Sequence, residues 1–257
     1  MRIFVTGSNS SLVRGMISNL PNIDIIPIES LTNSGSNKME FNIDFLNTLK
    51  PNDFLLHCAW NMKERNIIKS KKINVDGSIN FFESLDQMQK NNFIFISSRS
   101  AMHNSQSVYG KHKYEVERYV LKQKGKVLKL GILYDEDEEN TLHFLNDLRS
   151  LTKNFPVIPN FSGNKKIYKV TRKKQLIDYF KNNLNSPNNL FEAYDDKDYA
   201  FKDLVRTLLK SKKPVINFPF YLGYFSLKLI RALIPNYKLD FDSFLYIKTM
   251  IEKKSNE

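Results

Sequence analysis

Short uninterrupted apolar runs recur along the first half of this chain. Between them lie longer stretches in which apolar residues return every three or four positions. The runs 2-RIFVT-6, 23-IDIIPI-28, 53-DFLLHC-58, 93-FIFIS-97 and 126-KVLKLGI-132 read as strands covered on both faces. The stretches 11-SLVRGMISNL-20, 74-NVDGSINFFESLDQMQK-90 and 107-SVYGKHKYEVERYVLKQK-124 read as helices, the last opened by a serine and closed by Gly125. Such alternation predicts an α/β fold, with a parallel sheet and right-handed crossovers.

The pattern loosens after about residue 135. The acidic run 135-DEDEEN-140 reads as an exposed loop or a helix start, and 141-TLHFLNDLRSLTK-153 as a helix. A proline-rich turn region and a strand follow over 154–172, then a helix over 173–184. Two tail helices, 200–211 and 223–234, flank the loop 214-PVINFPFY-221.

Composition narrows the picture. A chain of 257 residues is long enough for one substantial core with an appendage. No apolar run reaches membrane-spanning length, and the start MRIFVTG reads as a strand and turn, not a signal peptide. The single cysteine, Cys58, excludes an intramolecular disulfide. It suits a small buried core residue in a reducing cytoplasm. The net charge is +12, spread over a chain rich in lysine and asparagine. The densest basic stretch, 165-KKIYKVTRKK-174, interleaves apolar residues as a surface strand does, and no nucleic-acid-binding motif accompanies it. The aromatic-rich segment 217–234 has two readings, as a helix packed over a substrate region or as an interfacial helix on a membrane.

The chemistry concentrates in a few places. After the first strand, 6-TGSNSSLVRG-15 forms a glycine turn feeding a helix start, a device for holding a pyrophosphate. Glu29 follows the second strand. A carboxylate there accepts hydrogen bonds from ribose hydroxyls and repels a 2′-phosphate, which favours NAD over NADP. Tyr109 and Lys113, four residues apart, share one helix face. An ammonium beside a phenol favours the phenolate, so Tyr109 is expected to titrate below its ordinary value as an acid/base at a sugar or alcohol oxygen. His57 has no second ligand at zinc spacing, so no metal site is expected.

These signposts, taken in order over residues 1–135, resemble the extended short-chain dehydrogenases/reductases of the nucleotide-sugar epimerase/dehydratase group. The stretch 6-TGSNSSLV-13 resembles the family's glycine fingerprint, with Gly7, Asn9, Ser10, Ser11 and Leu12 along the cofactor. Asn42 and Ile43 resemble its adenine-side pair. The run 57-HCAW-60, with Cys58, Ala59 and Trp60, resembles the segment after its third parallel strand, and 74-NVDGSINFFES-84 its helix headed by Asn74. The strand end 94-IFISS-98 and 109-YGKHK-113 resemble its serine and its Tyr-x-x-x-Lys. The second and third fingerprint glycines are replaced by Ser10 and Val13.

The resemblance implies a Rossmann-type doubly wound parallel sheet with a small carboxy-terminal substrate-binding subdomain. Residues 1–135 would form the dinucleotide-binding core, and 136–257 a substrate-binding region interleaved with it. It implies Tyr109 as acid/base, Lys113 on the nicotinamide ribose and Ser98 on the reacting oxygen, with Ser97 as the alternative serine. The cofactor would be NAD, or NADP, and the partner a nucleotide-diphosphate sugar, with no nucleic acid and no membrane span. Arg172, Lys165 and Lys166 are the basic candidates for the diphosphate, and Arg99 is a candidate substrate contact. The tail helices offer a surface for a homodimer.

The residues after the serine, 99-RSAM-102, hold no carboxylate, which disfavours dehydration. An epimerase and a 4-ketosugar reductase remain. Glu29 leans to the first and Trp60 to the second, with surface polysaccharide synthesis as the expected setting. A degenerate dinucleotide-binding regulator is the alternative outside enzymology.

Overall fold

The computed structural model describes residues 1–10, 12–17, 20, 22–31, 39–64, 66–134, 156–225 and 241–253. Its centre is a six-stranded sheet. Five strands are those expected: β1 (Arg2–Thr6), β2 (Asp24–Pro27), β3 (Phe54–His57), β4 (Phe93–Ser98) and β5 (Lys126–Leu130). The sixth, β6 (Leu190–Ala193), pairs with β5 in register Leu190 to Val127. The order is β6-β5-β4-β3-β1-β2, and every neighbouring pair is parallel. The chain leaves β1 toward β2, then returns to the other side of β1 with β3. A reversal of this kind opens a crevice at the carboxyl ends of the strands.

Alternation within the strands feeds two cores. Ile3 and Val5 of β1 face one cluster with Leu12, Val13, Ile17 and Leu176. Phe4, between them, faces the other with Phe81, Phe82, Phe93 and Val116. Both sheet faces are therefore covered, as the continuous apolar runs require. At the amino edge of the sheet, the Arg2 guanidinium and the buried Asp53 carboxylate form an ion pair that ties β1 to the start of β3.

The helices differ from expectation in three instructive ways. The segment after β1 is a short π-helix, Leu12–Ile17. Val13, in this helix, is buried and packed into the core. The second helical stretch runs over 67–83 and breaks at Ser84–Asp86. Asp86 then starts Gln87–Asn91 with a reciprocal capping box to Gln89. The third helix, Val108–Lys122, starts as expected with Ser107, whose Oγ accepts from the Gly110 N–H. At its end the left-handed residue is Lys124, at φ 64°, not Gly125. Glycine is needed next door for space: a Cβ there would lie 2.7 Å from Val120 Cγ1 and 2.9 Å from Phe82.

The later chain supplies smaller pieces. Strands Ile132–Tyr134 and Val170–Arg172 pair in parallel, as do Ile158–Asn160 and Val215–Asn217, the latter where a loop was expected. Strand Lys166–Tyr168 pairs antiparallel with Tyr199–Ala200. Helices Lys173–Asn182 and Phe201–Thr207 fall within the predicted stretches, and Phe241–Lys253 was not anticipated. The acidic run 135–140, the expected helix 141–153 and residues 226–234 of the tail helix lie outside the described residues. Among the described residues, no helix is long and apolar enough to cross a membrane.

Candidate active site

Ser98 is the last residue of β4 and Tyr109 lies in the first turn of helix Val108–Lys122. Their side chains are neighbours, close enough for the Ser98 hydroxyl to favour the Tyr109 phenolate, at the carboxyl edge of the sheet beside the crevice. The Ser98 hydroxyl also lies 3.0 Å from the Ser100 hydroxyl. Strand alternation turns the two serines to opposite sides. Ser97 is buried and donates to Glu117 Oε2 at 2.6 Å, while Ser98 faces Tyr109.

The expected electrostatics of the Tyr-x-x-x-Lys pair are corrected. Burial pushes the Tyr109 phenol up to about 12. The neighbouring Ser98 hydroxyl opposes the shift, and the Asp242 carboxylate adds to it. Lys113 moves the other way: burial lowers its ammonium to about 7, against weaker support from Cys58 and Glu117. Its Nζ lies 6.0 Å from the Tyr109 ring centroid and makes no hydrogen bond to the phenol. It donates to the Ile96 carbonyl at 2.6 Å and lies over the Trp60 and Phe95 rings, at 3.9 and 4.5 Å from their centroids. The indole meets the Tyr109 ring edge to face at 5.9 Å. At neutral pH the site therefore holds a protonated phenol and a lysine near its own midpoint.

On the other side of the crevice, Gly7 has φ 69°, which an L side chain adopts only with strain. A Cβ there would also come within 2.7 Å of the Ala59 backbone. The turn after β1 thus sits directly against the segment after β3. The Ser10 N–H donates to the Gly7 carbonyl at 2.9 Å, and the Ser10 hydroxyl caps the Val13 N–H at 3.3 Å. Leu12 is buried in the core, and Asn9 is exposed at the turn. Ser11 lies outside the described residues. Glu29 is exposed just beyond β2, and its carbonyl accepts from the Asn42 N–H. The Asn42 side chain accepts from the Asp44 N–H at 2.8 Å, starting a short 3₁₀ turn, with Ile43 exposed beside it.

His57 and Asn74 turn inward. Thr6 Oγ1 lies 2.7 Å from His57 Nδ1, and His57 Nε2 lies 2.9 Å from Ser78 Oγ. Ser78 donates its own proton to the Asn74 carbonyl at 2.5 Å. It must then accept from His57, so the proton sits on Nε2 and Nδ1 accepts from Thr6. Burial holds this imidazole neutral, with a pKa near 3, and the Lys113 charge adds to the effect. The Asn74 side chain grips the loop after β3, accepting from the Asn61 N–H at 2.7 Å and donating to the Asn61 carbonyl at 3.1 Å. Cys58 is buried, and burial raises its thiol to about 12, so it is an inert core residue. Among the described residues, no His, Cys, Asp and Glu side chains cluster to hold a metal.

Sequence reasoning singled out Arg99 but missed its neighbours. The guanidinium carbon lies 5.8 Å from the Tyr194 ring centroid, just beyond β6. It also faces Tyr246 of the carboxy-terminal helix. Arg99 Nε is buried and finds no hydrogen-bond partner among the described residues. Of the basic diphosphate candidates, Arg172 Nε bonds Asp195 at 3.3 Å and Lys165 Nζ bonds the Ile251 carbonyl at 3.3 Å. Lys166 is exposed.

No family model and no curated protein matches the sequence. Solved structures do match. One is a dTDP-4-dehydrorhamnose reductase from Bacillus anthracis str. Ames in complex with NADP. It is 15% identical, with TM-score 0.64, over 98% of this chain and 99% of that one. Another is a short-chain dehydrogenase/reductase superfamily protein from Agrobacterium tumefaciens with bound NAD, 13% identical, TM-score 0.57, covering 100% of both chains. The chain shares with both a Rossmann-type α/β fold. A UDP-glucuronic acid 4-epimerase from Bacillus cereus in complex with NAD also shares it, at 13% identity and TM-score 0.58 over 100% of this chain and 98% of that one. Identities this low speak for the fold alone. This fold brings Gly7, Trp60, Ser98 and Tyr109 to one edge of the sheet.

Proposed function

We propose that this protein is an NAD(P)H-dependent 4-ketosugar reductase of the extended short-chain dehydrogenase/reductase family, acting on a nucleotide-diphosphate sugar. The observation that carries the reading is the convergence of Ser98, at the end of β4, with Tyr109, in the first turn of the following helix, at the carboxyl ends of the central strands and beside the Trp60 ring. The crevice suits a dinucleotide. The turn at Gly7 leaves no Cβ between itself and Ala59, Val13 is folded into the core, and the Glu29 carboxylate stands beyond β2 where a ribose diol would be recognised. Gly7, Ser10, Glu29 and Lys113 would hold the cofactor, whose chemistry is the transfer of a hydride to the sugar carbon.

The chain's own residues supply the proton and the orientation. Ser98 donates a hydrogen bond to the carbonyl oxygen of the substrate. Tyr109, protonated at neutral pH, gives its phenolic proton to that oxygen as negative charge develops there. A protonated phenol suits reduction better than epimerisation, which must begin by removing a proton from the sugar hydroxyl. Arg99, with Tyr194 and Tyr246, faces the substrate side and offers an unused Nε donor. The region 136–257 contributes that side. The Nε donor and the edge of the Tyr194 ring suit a polar group on the sugar, and the product would enter surface polysaccharide synthesis.

Oxidation of NADPH and NADH is to be followed with dTDP-, UDP-, CDP- and GDP-4-ketosugars, with wild type beside Tyr109→Phe. Turnover by wild type and its loss in the variant is the expected result. Equal inertness of both, with reduced cofactor bound, would favour a non-catalytic dinucleotide-binding regulator. NAD retained through purification would favour the epimerase.

A further inference from the structure

The carboxy-terminal helix reaches back to the helix that carries Tyr109. Asp242, in its first turn, places a carboxylate on the start of Val108–Lys122. Its Oδ1 accepts from the Val108 N–H at 2.6 Å. Its Oδ2 accepts from the Tyr109 N–H at 3.0 Å and from the Ser107 hydroxyl at 2.6 Å. A helix start leaves unpaired N–H groups and a partial positive charge, and an anion there satisfies both. Ser107 is the local cap, bonded to the Gly110 N–H at 2.9 Å, and Asp242 takes the donors that Ser107 leaves open. Two turns on, Thr249 accepts from the Gln106 N–H at 2.9 Å, and Glu252 accepts from the Gln106 side chain at 2.5 Å.

We propose that Asp242 is a positioning residue for the reaction: by holding the Tyr109 backbone from across the fold, it sets the phenol against Ser98. The inference rests on the reductase reading for its catalytic consequence, though not for its geometry. The amide of the acid/base residue is itself one of the atoms bound. A shift of that first turn moves the phenol relative to β4, which is anchored separately in the sheet. Misplacement of this size is costly because the proton must travel along a hydrogen bond of defined length. Asp242 also adds its charge to the burial that keeps Tyr109 protonated.

The test compares Asp242→Asn with Thr249→Val in the full chain. Both weaken docking of the carboxy-terminal helix, but only the first touches Tyr109. With 13Cζ-labelled tyrosine, the Tyr109 resonance, assigned through Tyr109→Phe, is expected to move or broaden at pH 8 in Asp242→Asn and to stay in Thr249→Val. In turnover, Asp242→Asn is expected to lower kcat about tenfold with KM unchanged. An unmoved resonance in Asp242→Asn overturns the proposal, whatever its melting temperature. Should that variant fail to fold, hydrogen exchange in wild type decides: protected Val108 and Tyr109 amides support the proposal, and amides exchanging as freely as an uncapped first turn refute it. A moved resonance in a protein inert toward every sugar would sink the reductase reading alone.

Discussion

The Lys113 ammonium lies 3.9 Å from the centroid of the Trp60 indole. A cation against a ring face is held by the ring quadrupole, yet burial lowers this lysine to about 7. Trp60 is the single tryptophan of the chain. Its emission should therefore titrate with the lysine, with a midpoint near pH 7, and the step should vanish in Lys113→Met. A fluorescence titration from pH 5.5 to 9 checks this. A flat profile in wild type would mean that the amine keeps its charge throughout.

The two serines of β4 separate catalysis from stability. Ser98→Ala and Tyr109→Phe should each reduce kcat by roughly 10²–10⁴-fold, the range that a positioned proton donor supplies, with the Kd for reduced cofactor within a few-fold of wild type. Ser97→Ala removes a buried hydrogen bond to Glu117. It should cost about 1 kcal/mol of stability and leave kcat nearly unchanged. Steady-state kinetics and urea unfolding on the three variants separate the roles. A Ser97→Ala enzyme as impaired as Ser98→Ala would reverse the assignment.

Much of this was legible from residue order alone. The five strands lie where the apolar runs lie because burial on both faces demands continuous hydrophobicity. Ser98, Tyr109 and Trp60 converge because each follows a strand end or starts a helix beside one. What stayed hidden depends on distance in space. The Leu190–Ala193 strand shows an ordinary mixture, with Leu190 and Glu192 exposed, and reveals itself only by pairing with β5. Asp242 is one acid among 27 Asp and Glu until it is seen on the Tyr109 amide. The Tyr109 shift was misread because an ammonium four residues away was taken to bond the phenol. The Lys113 Nζ turns instead to the Ile96 carbonyl, and desolvation then outweighs attraction for both groups.

His57 should make the fold acid-sensitive in a defined window. Folded, its pKa lies near 3; unfolded, it returns to about 6.5. Above pH 6.5 neither state is protonated, and the full stability is present. As pH falls below 6.5 the unfolded chain binds a proton that the folded one refuses, so stability declines by roughly 1.4 kcal/mol per pH unit. The decline ends near pH 3, where the folded histidine is protonated too. About 3 kcal/mol should disappear between pH 6.5 and 4 from this residue. Urea midpoints across that range, compared with His57→Asn, isolate the contribution. A variant with the same slope as wild type would show that other groups carry it.

Glu117 and Lys129 offer the sharpest test of the core beneath the site. Lys129 lies on β5 in register with Ser97, and its Nζ meets Glu117 Oε1 at 2.8 Å with both side chains largely shielded. Removing one partner leaves a buried charge without compensation, which costs about 3–5 kcal/mol. Glu117→Leu should accordingly lower Tm by about 10 °C, on the scale expected for a chain of this size. Glu117→Leu combined with Lys129→Met removes both charges, and apolar replacement of a whole pair is often close to neutral. The double variant should recover most of the loss, apart from the Ser97 hydrogen bond. Calorimetry on the two variants checks this, and a double variant less stable than the single one would mean that Lys129 stabilises the fold independently of Glu117.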